Sequence, residues 1–538
     1  MHLRCTLVLR TGRCADRSGP GDTVRATTAA RSPFVPGVPL SLLHTAHGHR
    51  APVWLAAVAL AGATLAALPV AASSGDGDAL PAPRPHATDF SYLGASVTPP
   101  TQGDCASVGR RCFTPQALQN AYNVGPLHAK GQDGRGRTIA IVDSFGYDQA
   151  EADLKIYSQQ FGLPLMCGMP DVACKPGMPT FTRLKQGNRP VNEPPPGSNG
   201  TGQEDSNGWA LEVALDLDMA HAMAPGANIV LVSSSTAETL GTQGFPQLMN
   251  LEQKVVDDGM ADVISQSFGS GEEAFHSTAV LQNLRHAFQS AASKGVTVLA
   301  SSGDGGSEND FKAPVKNPAA IPQASVGWPA SDPLVTSVGG TFLCLDGATG
   351  THVDNSSAPA ACSTFPGQRE VAWTFAGGGF SHVFSKPAYQ NTLPAGSTPI
   401  GSMRGVPDIA SQASSATGVL VRDTAPGATG VKCPSGDPCS SGWYVVGGTS
   451  ASTPQWAGLV AITAQIAGHP LGQINQSLYD LANGPDYGAY FYDVTTGNNS
   501  NPDFPTIPGF AATKGWDPVT GLGTPNAAAL LPALAAHS

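Results

Sequence analysis

The segment from Gly447 to Pro454 constrains the fold more than any other part of the chain. A β-rich run, Trp443 to Val446, precedes its two glycines, and a small, apolar stretch reaching Ala467 follows its serine. This pattern predicts a buried strand, a tight turn and a helix whose first turn begins at Ser450 and includes Pro454. Such a turn would expose the Ser450 hydroxyl and place its N–H at the positive helix end, where an oxyanion could be held. Ser450 is therefore a candidate nucleophile; the alternative is a turn that only caps a core helix.

A serine nucleophile needs a base, yet none of the 13 His lies in a His-Gly-x-His motif. The segment from Trp209 to Gly226 is instead rich in Ala and Leu and ends in Pro-Gly, which predicts a helix. Glu212 and Asp216 lie one turn apart on the same face of this helix. Two carboxylates at this spacing destabilise an exposed helix unless they share a proton, so the pair is a candidate site. The alternative is a solvated acidic face.

The order of these motifs resembles that of the sedolisin family, the serine-carboxyl peptidases. Glu212-x-x-x-Asp216 stands before Ala-Pro-Gly-Ala, a predicted strand and glycine-rich turn then present Asp304, and Gly-Gly-Thr-Ser450 follows. The resemblance extends from about residue 115 to the end of the sequence. It implies an α/β, subtilisin-like three-layer fold with a central, mostly parallel sheet.

The resemblance also implies a role for each of these four side chains. Ser450 would be the nucleophile, Glu212 the base that takes its proton, and Asp216 the group that orients Glu212. Asp304 would lie in the oxyanion hole, where a protonated carboxyl can donate a hydrogen bond but a carboxylate would repel the oxyanion. Clustered carboxyl groups cannot all ionise, and Glu is a useful base only near its own pKa. We therefore expect activity in acid, below about pH 6.

The implied function is that of a secreted serine-type endopeptidase that cleaves proteins or peptides through an acyl-enzyme. Three alternatives remain open: a tripeptidyl-type exopeptidase of the same family, a catalytically silent, calcium-stabilised binding homologue, and a neutral Ser-His-Asp peptidase with His221 or another His as base. His221 lies on the Glu212 helix, where the alternative to a base is a packed or half-exposed histidine. Asp143, near the end of a predicted strand, is interpreted as structural because no matching His motif accompanies it.

The same resemblance implies one structural Ca²⁺ near the C-terminal end of the sequence. Ca²⁺ takes several hard oxygen ligands, which loops supply as carboxylates and backbone carbonyls. The implied ligands are the side chains of Asp493 and Asp517 and the carbonyls of Val494, Thr513 and Gly515. Thr513 is a departure, since the family often has Gly there. The alternative to a metal site is a turn-rich loop with Asp caps.

Charge and cysteine usage favour an exported protein. The formal net charge is −11 at pH 7, so nucleic acid and anionic membranes are not expected partners, and we expect a monomer. Eight of the ten cysteines fall into four closely spaced pairs, which predict disulfides in an oxidising compartment, although spacing alone does not fix the connectivity. The pairs are Cys105/Cys112, Cys167/Cys174, Cys344/Cys362 and Cys433/Cys439.

The chain begins with a predicted leader over residues 1–72. Its apolar core, 51–72, predicts a signal peptide cleaved after Ala72 and no membrane contact afterwards; the alternative is an uncleaved anchor. Residues 73–112 are rich in Pro, Ser and Gly and are expected to form a loose N-terminal tail. Residues 113–538 are the expected peptidase domain, with the calcium site near its C-terminal end and a surface insertion over about 165–208.

Overall fold

The computed structural model describes residues 89–186, 209–235, 244–275, 277–308, 323–355, 359–425 and 441–538, and the backbone alone of 84–85 and 202–208. The predicted leader, its cleavage site after Ala72 and the pair Cys433/Cys439 lie outside the described residues. Among the helices of the described residues, none is long and apolar enough to cross a membrane.

Strands and helices alternate along much of the described chain, as in α/β proteins. The strands are β1 (Arg84–Pro85), β2 (Phe90–Gly94), β3 (Arg111–Phe113), β4 (Thr138–Ser144), β5 (Phe181–Lys185), β6 (Asn228–Ser234), β7 (Val263–Gln266), β8 (Phe268–Gly271), β9 (Thr297–Ser301), β10 (Gly327–Trp328), β11 (Thr336–Leu343), β12 (Glu370–Ala372), β13 (Gly379–Ser385), β14 (Met403–Val406), β15 (Ile409–Gln412), β16 (Thr417–Asp423), β17 (Gly442–Val446), β18 (Phe491–Tyr492) and β19 (Thr524–Pro525). The helices are α1 (Gln102–Ser107), α2 (Pro115–Ala121), α3 (Gly125–His128), α4 (Ala150–Phe161), α5 (Gly202–Met223), α6 (Phe245–Asp257), α7 (Thr278–Leu284), α8 (His286–Lys294), α9 (Ala360–Thr364), α10 (Thr449–Ala467), α11 (Asn475–Asn483), α12 (Tyr487–Tyr490) and α13 (Ala527–His537).

The central sheet of the described residues has eight strands, in the order β12-β11-β9-β7-β4-β6-β5, with β15 also pairing with β11. Every pairing is parallel except that of β11 with β12. Ile139 and Ile141 of β4 join the apolar layer of α5 and α10, whereas Ala140 and Val142 join that of α6 and α8. Helices therefore cover both faces, and the predicted three-layer α/β fold with a mostly parallel sheet is confirmed.

Three neighbouring strands bring polar residues to one edge of this sheet. β9, β7 and β4 are adjacent and parallel, so their carboxyl ends meet. Asp143 lies near the end of β4, Ser267 directly follows β7, and Asp304 lies just beyond β9. The carboxyl edge of an open α/β sheet is where sites are built.

Helices α5 and α10 approach each other closely on one face of the sheet. A Cβ on Gly458 of α10 would lie 2.7 Å from the Met223 Cβ and 3.2 Å from the Ala220 carbonyl oxygen, both on α5. Only glycine therefore permits this approach without a shift of one helix. Small residues fill much of α10, and the residues from Thr449 to Ala464 are all buried.

The N-terminal segment is not a loose tail where the structure describes it. β2 pairs antiparallel with β17, the strand that leads to Ser450, and β3 pairs in parallel with β16. β1 pairs antiparallel with β8. The rings of Phe90 and Tyr92 lie 6.1 and 5.2 Å from that of Tyr444. The expectation is wrong here because a few aromatic side chains among the prolines and glycines pack on a sheet, which composition does not reveal.

Three of the predicted disulfides are present: Cys105–Cys112, Cys167–Cys174 and Cys344–Cys362. The second lies shortly before β5, which pairs in parallel with β6 at the edge of the central sheet. The expected surface insertion over 165–208 is therefore wrong in part, since it supplies a sheet strand and the start of α5. A five-residue strand among Pro, Gly and Asn gives too short a pattern to be recognised.

Replacing Gly458 with Ala should destabilise the fold, because the added methyl group would overlap Met223 on α5. Overpacking of a closely packed core costs about 1–3 kcal/mol of the free energy of unfolding. Urea unfolding followed by tryptophan fluorescence measures this loss.

Gly488→Ala is the matched control, since a Cβ there meets no atom within 4 Å and the residue lies in the short helix α12. It should leave the free energy of unfolding unchanged or slightly raised. Equal stability of the two variants would show that α5 and α10 are not packed as described.

Candidate active site

The two glycines before Ser450 are required because no side chain fits in the turn. A Cβ on Gly447 would lie 2.1 Å from the Ser415 nitrogen, and Gly448 has a φ of 125°, which other residues rarely adopt. Gly448 N–H also donates to the Ala413 carbonyl at 2.6 Å. The turn joins β17 to α10 as predicted, and Ser450 follows the first residue of the helix.

Two details of this prediction are wrong. Ser450 is fully buried rather than exposed, and its Oγ forms no hydrogen bond with any residue that the structure describes. The turn before it packs closely on the chain at Ala413 and Ser415, a contact that the local sequence pattern does not reveal. Pro454 lies in the second turn of α10, not the first, because the helix begins at Thr449.

The predicted Glu212 helix is confirmed as α5, which brings both of its carboxyl groups into the interior. Glu212 and Asp216 are fully buried. Ser267 donates its hydroxyl to Asp216 Oδ1 at 2.9 Å. A solvated acidic face is therefore excluded, and the pair lies beside the carboxyl edge of the sheet.

Asp143 lies with this pair, which its position in the sequence did not predict. It is fully buried near the end of β4 and close enough to Asp216 for its charge to raise the Asp216 pKa. Neither of its carboxyl oxygens accepts a hydrogen bond from a described residue. The sequence does show an Asp near the carboxyl end of a predicted strand, a position where sites are often built. Without a matching His motif, this Asp is interpreted as structural.

These buried carboxyl groups keep their protons to a higher pH than exposed ones. Burial raises the pKa of Asp216 well above its usual range, the charges of Asp143 and Glu212 raise it further, and the Ser267 hydrogen bond opposes them. Burial alone raises the pKa of Asp143 to about 8. Three carboxyl groups in one buried place cannot all be ionised, so the cluster can store and exchange protons without a histidine.

Asp304 lies at the N terminus of the Ser450 helix. β9 ends at Ser301, and Gly303 turns the chain with a φ of 113°. Asp304 is half-buried, and its Oδ1 accepts the Thr449 N–H at 2.8 Å and the Thr449 hydroxyl at 2.9 Å. The carboxyl group therefore contacts the residue directly before Ser450, at the positive end of α10.

His221 is a packed histidine, which agrees with the alternative interpretation of its sequence position. It is fully buried, and its Nε2 lies 2.9 Å from the Pro164 carbonyl oxygen. Burial lowers the pKa of His221 to about 4. Neither its Nδ1 nor Ser450 Oγ has a hydrogen-bond partner among the described residues, so the ring does not contact the serine.

The two predicted calcium-binding carboxylates hold one C-terminal loop between them. Gly515 N–H donates to both oxygens of Asp493, at 3.2 and 3.1 Å, and Thr513 N–H donates to Asp517 Oδ2 at 3.1 Å. Burial raises the pKa of Asp493, and it raises that of the fully buried Asp517 to about 7. A cation beside these groups would offset the cost of burying their charge.

The backbone of this loop also fits a hard cation. The carbonyls of Val494, Thr513 and Gly515 accept no hydrogen bond within the described residues. Among the described residues no three His, Cys, Asp or Glu side chains form a metal-binding group. A cation here would therefore have two carboxylates and depend on such carbonyl oxygens, which is the ligand type that Ca²⁺ accepts.

The family follows from a comparison of sequences. The family model described as the subtilase family matches residues 197–473, about half of the chain. This chain belongs to the subtilase family. Its relatives agree with the resemblance to the sedolisins that the motifs carry.

Two curated relatives and one solved structure agree with this placement. Kumamolisin of Bacillus sp. (strain MN-32) is 31% identical over 440 residues, which cover 80% of this chain and 64% of kumamolisin. Tripeptidyl-peptidase 1 of Homo sapiens is 31% identical over 351 residues, which cover 62% of this chain and 53% of tripeptidyl-peptidase 1. Pseudomonas sedolisin, a serine-carboxyl proteinase solved with two molecules of pseudo-iodotyrostatin, shares the fold with a TM-score of 0.55 at 24% identity, covering 78% of this chain and 97% of that one. The chain thus spans between half and two thirds of the length of these two curated relatives.

Replacing Asp143 with Asn should weaken the pH dependence of stability. The pKa of Asp143 is about 8 in the fold, against about 3.9 for an exposed Asp. The contribution of Asp143 to stability is therefore complete below about pH 4 and is lost as pH rises towards 8, because only the unfolded chain ionises this group readily. Asn has no proton to lose, so the drop between about pH 4 and 8 should be smaller by a few kcal/mol, measured by urea unfolding at both pH values.

The control is Asp171→Asn, which removes a carboxyl group whose side chain is 95% exposed. This variant should show the same pH dependence as the wild type. An unchanged pH dependence in Asp143→Asn would mean that Asp143 is ionised in the fold, contrary to its burial.

Proposed function

We propose that this chain is a secreted, acid-acting serine-carboxyl endopeptidase. The observation that carries the proposal is that a serine at a helix N terminus and two buried carboxyl groups lie on two helices that pack against each other. Ser450 Oγ would attack the peptide carbonyl carbon while Glu212 takes its proton and Asp216 holds Glu212. Asp304 would donate a hydrogen bond to the oxyanion. The amine product would leave, and water would then hydrolyse the acyl-enzyme.

The electrostatics of the site support action in acid. Buried Asp143 and Asp216 favour their neutral forms, so a proton is available to a carboxyl cluster that has no histidine base. A carboxylate base is effective near its own pKa, and an oxyanion needs a protonated Asp304. As pH rises, the cluster would lose its protons and the oxyanion hole would turn repulsive.

Two relatives favour different kinds of peptidase within this proposal. Kumamolisin aligns with more of this chain, whereas tripeptidyl-peptidase 1 is named for the release of tripeptides. We take the endopeptidase as the main proposal and the exopeptidase as the second. The discriminating substrate is a quenched fluorogenic peptide with a blocked N terminus and a cleavable internal bond. An endopeptidase should cleave it, and a tripeptidyl exopeptidase should not.

Activity on such a peptide should have an acid maximum that depends on Glu212. Glu212→Gln removes the base but keeps a side chain of similar size, and it should lower kcat by about 10²–10⁴-fold at the optimum. Ser450→Ala should remove the acyl-enzyme route altogether. The measurement is the pH dependence of kcat and kcat/KM from about pH 2.5 to 9.

Asp171→Asn is the control, and it should keep the wild-type profile because its side chain is 95% exposed. A wild-type rate that rises towards pH 8 and survives Glu212→Gln would point to a histidine base. A folded wild type without hydrolysis at any pH would instead favour the silent homologue.

We also propose that one structural Ca²⁺ binds the C-terminal loops. Asp493 and Asp517 would bind by their carboxylates, and Val494, Thr513 and Gly515 by their carbonyl oxygens. The cation would offset the repulsion between the fully buried Asp517 and the partly buried Asp493 and tie the loop to the domain. Its role would be stability, not catalysis.

Removing Ca²⁺ should destabilise the wild type but not a variant without its buried ligand. A ligand at about 100 times its Kd adds about 2.7 kcal/mol to the free energy of unfolding. EDTA should therefore lower the melting temperature of the wild type. The melting temperature of Asp517→Asn should be lower than that of the wild type and should not change with EDTA or Ca²⁺. Thermal unfolding at about pH 6 checks this.

Asn at position 517 can still accept the N–H groups of Val519 and Thr520, so the turn itself is kept. Asp171→Asn should respond to Ca²⁺ as the wild type does. A melting temperature of the wild type that is indifferent to EDTA would remove the calcium proposal.

Export is supported by three disulfides, which persist in oxidising compartments. We propose that the apolar segment 51–72 directs it and that cleavage follows Ala72. N-terminal sequencing of the exported protein checks this, and a mature chain that still carries the apolar segment would contradict it.

A further inference from the structure

Thr449 connects the Asp304 turn to the start of the Ser450 helix through three hydrogen bonds. Its N–H and its hydroxyl both lie within hydrogen-bond distance of Asp304 Oδ1, at 2.8 and 2.9 Å. Gly303 N–H donates to Thr449 Oγ1 at 3.0 Å. Thr449 is fully buried, so water does not compete for these contacts.

The direction of each hydrogen bond follows from the donors. The N–H groups of Gly303 and Thr449 can only donate. Since Gly303 N–H points at Oγ1, the Thr449 hydroxyl hydrogen is directed to Asp304 Oδ1. That oxygen therefore accepts from two donors, which disfavours a proton on it. A proton carried by the Asp304 carboxyl group resides on Oδ2 instead.

We infer that Thr449 is a positioning residue that fixes Asp304 with Oδ2 as its donor oxygen for the oxyanion. This inference rests on the proposed function and adds to it, because none of the sequence motifs gave Thr449 a role. A carboxyl group alone can rotate and place its proton on either oxygen. The two donors on Oδ1 remove that freedom before substrate binds, which is the preorganisation that oxyanion stabilisation requires.

The three hydrogen bonds of Thr449 with Gly303 and Asp304, here called the Thr449 clamp, are closely packed on both sides. A Cβ on Gly377 would lie 2.2 Å from the Ser302 carbonyl oxygen, so the chain next to Asp304 is closely covered. A Cβ on Gly340 would lie 3.4 Å from Thr449 Cγ2, so the methyl group of Thr449 is also packed. Valine in place of Thr449 would keep the contact of this methyl group and lose only the hydroxyl.

The test compares Thr449→Val with Thr449→Ser in the full chain on the quenched peptide. The valine variant should lower kcat on the order of tenfold, less than loss of a whole oxyanion donor, while KM changes little. Hydrogen bonds to a carboxylate stabilise its ionised form, so the alkaline limb should also move up by roughly one pH unit. The serine variant should behave as the wild type in both respects.

Thr463→Val is the matched control on the same helix, since that buried hydroxyl donates only to the Leu459 carbonyl, at 2.9 Å. It should change neither kcat nor the alkaline limb. Thr449→Ala removes the same hydroxyl and replaces the valine variant if circular dichroism shows that the latter is unfolded.

A second comparison asks whether Thr449 acts through Asp304. Asp304→Ala leaves no carboxyl group to orient, so adding Thr449→Val to it should change kcat by less than about twofold. A tenfold further loss in that background would overturn the inference. So would a valine variant whose kcat and alkaline limb match the wild type. Hydrolysis that persists in Ser450→Ala would instead overturn the proposed function itself.

Discussion

The close packing of α10 on α5 is the constraint on which the site depends. Gly458 allows the two helices to approach, and Glu212, Asp216 and Ser450 on these helices are all fully buried. Burial does two things at once: it holds the serine and the carboxyl groups on rigid helices, and it raises the pKa of Asp216. A looser interface would admit water and lower that pKa.

The cost of this arrangement is a fold that favours acid. Burial raises the pKa of Asp218 and Glu252 well above the usual range, that of Asp423 to about 8 and that of Asp153 to about 6. Each group is protonated in the fold and ionised in the unfolded chain at intermediate pH. Their contribution to stability is therefore complete below about pH 4 and is lost as pH rises through the folded-state values. The pH that suits the proposed chemistry also suits the fold.

The sequence predicted most of the fold and of the site, because both are carried by local patterns. A strand, two glycines and a small-residue helix locate Ser450, and an Ala/Leu-rich helix locates Glu212. What it could not supply depends on contacts between distant segments. The turn before Ser450 packs on Ala413 and Ser415, and Asp143 of β4 lies near enough to Asp216 of α5 for its charge to raise the Asp216 pKa. The Thr449 clamp likewise joins residues 145 positions apart, at Asp304 and Thr449.

The most direct test of the account asks whether a covalent acyl-enzyme forms on Ser450, because buried carboxyl groups could instead activate a water molecule. A slowly hydrolysed peptide ester is mixed with the enzyme in acid, the reaction is quenched after one turnover, and the digested protein is examined by mass spectrometry. We expect an acyl adduct on the peptide that contains Ser450, and we expect it to form far more slowly in Glu212→Gln. Full hydrolysis with no adduct on that peptide would contradict it and would favour direct attack by water.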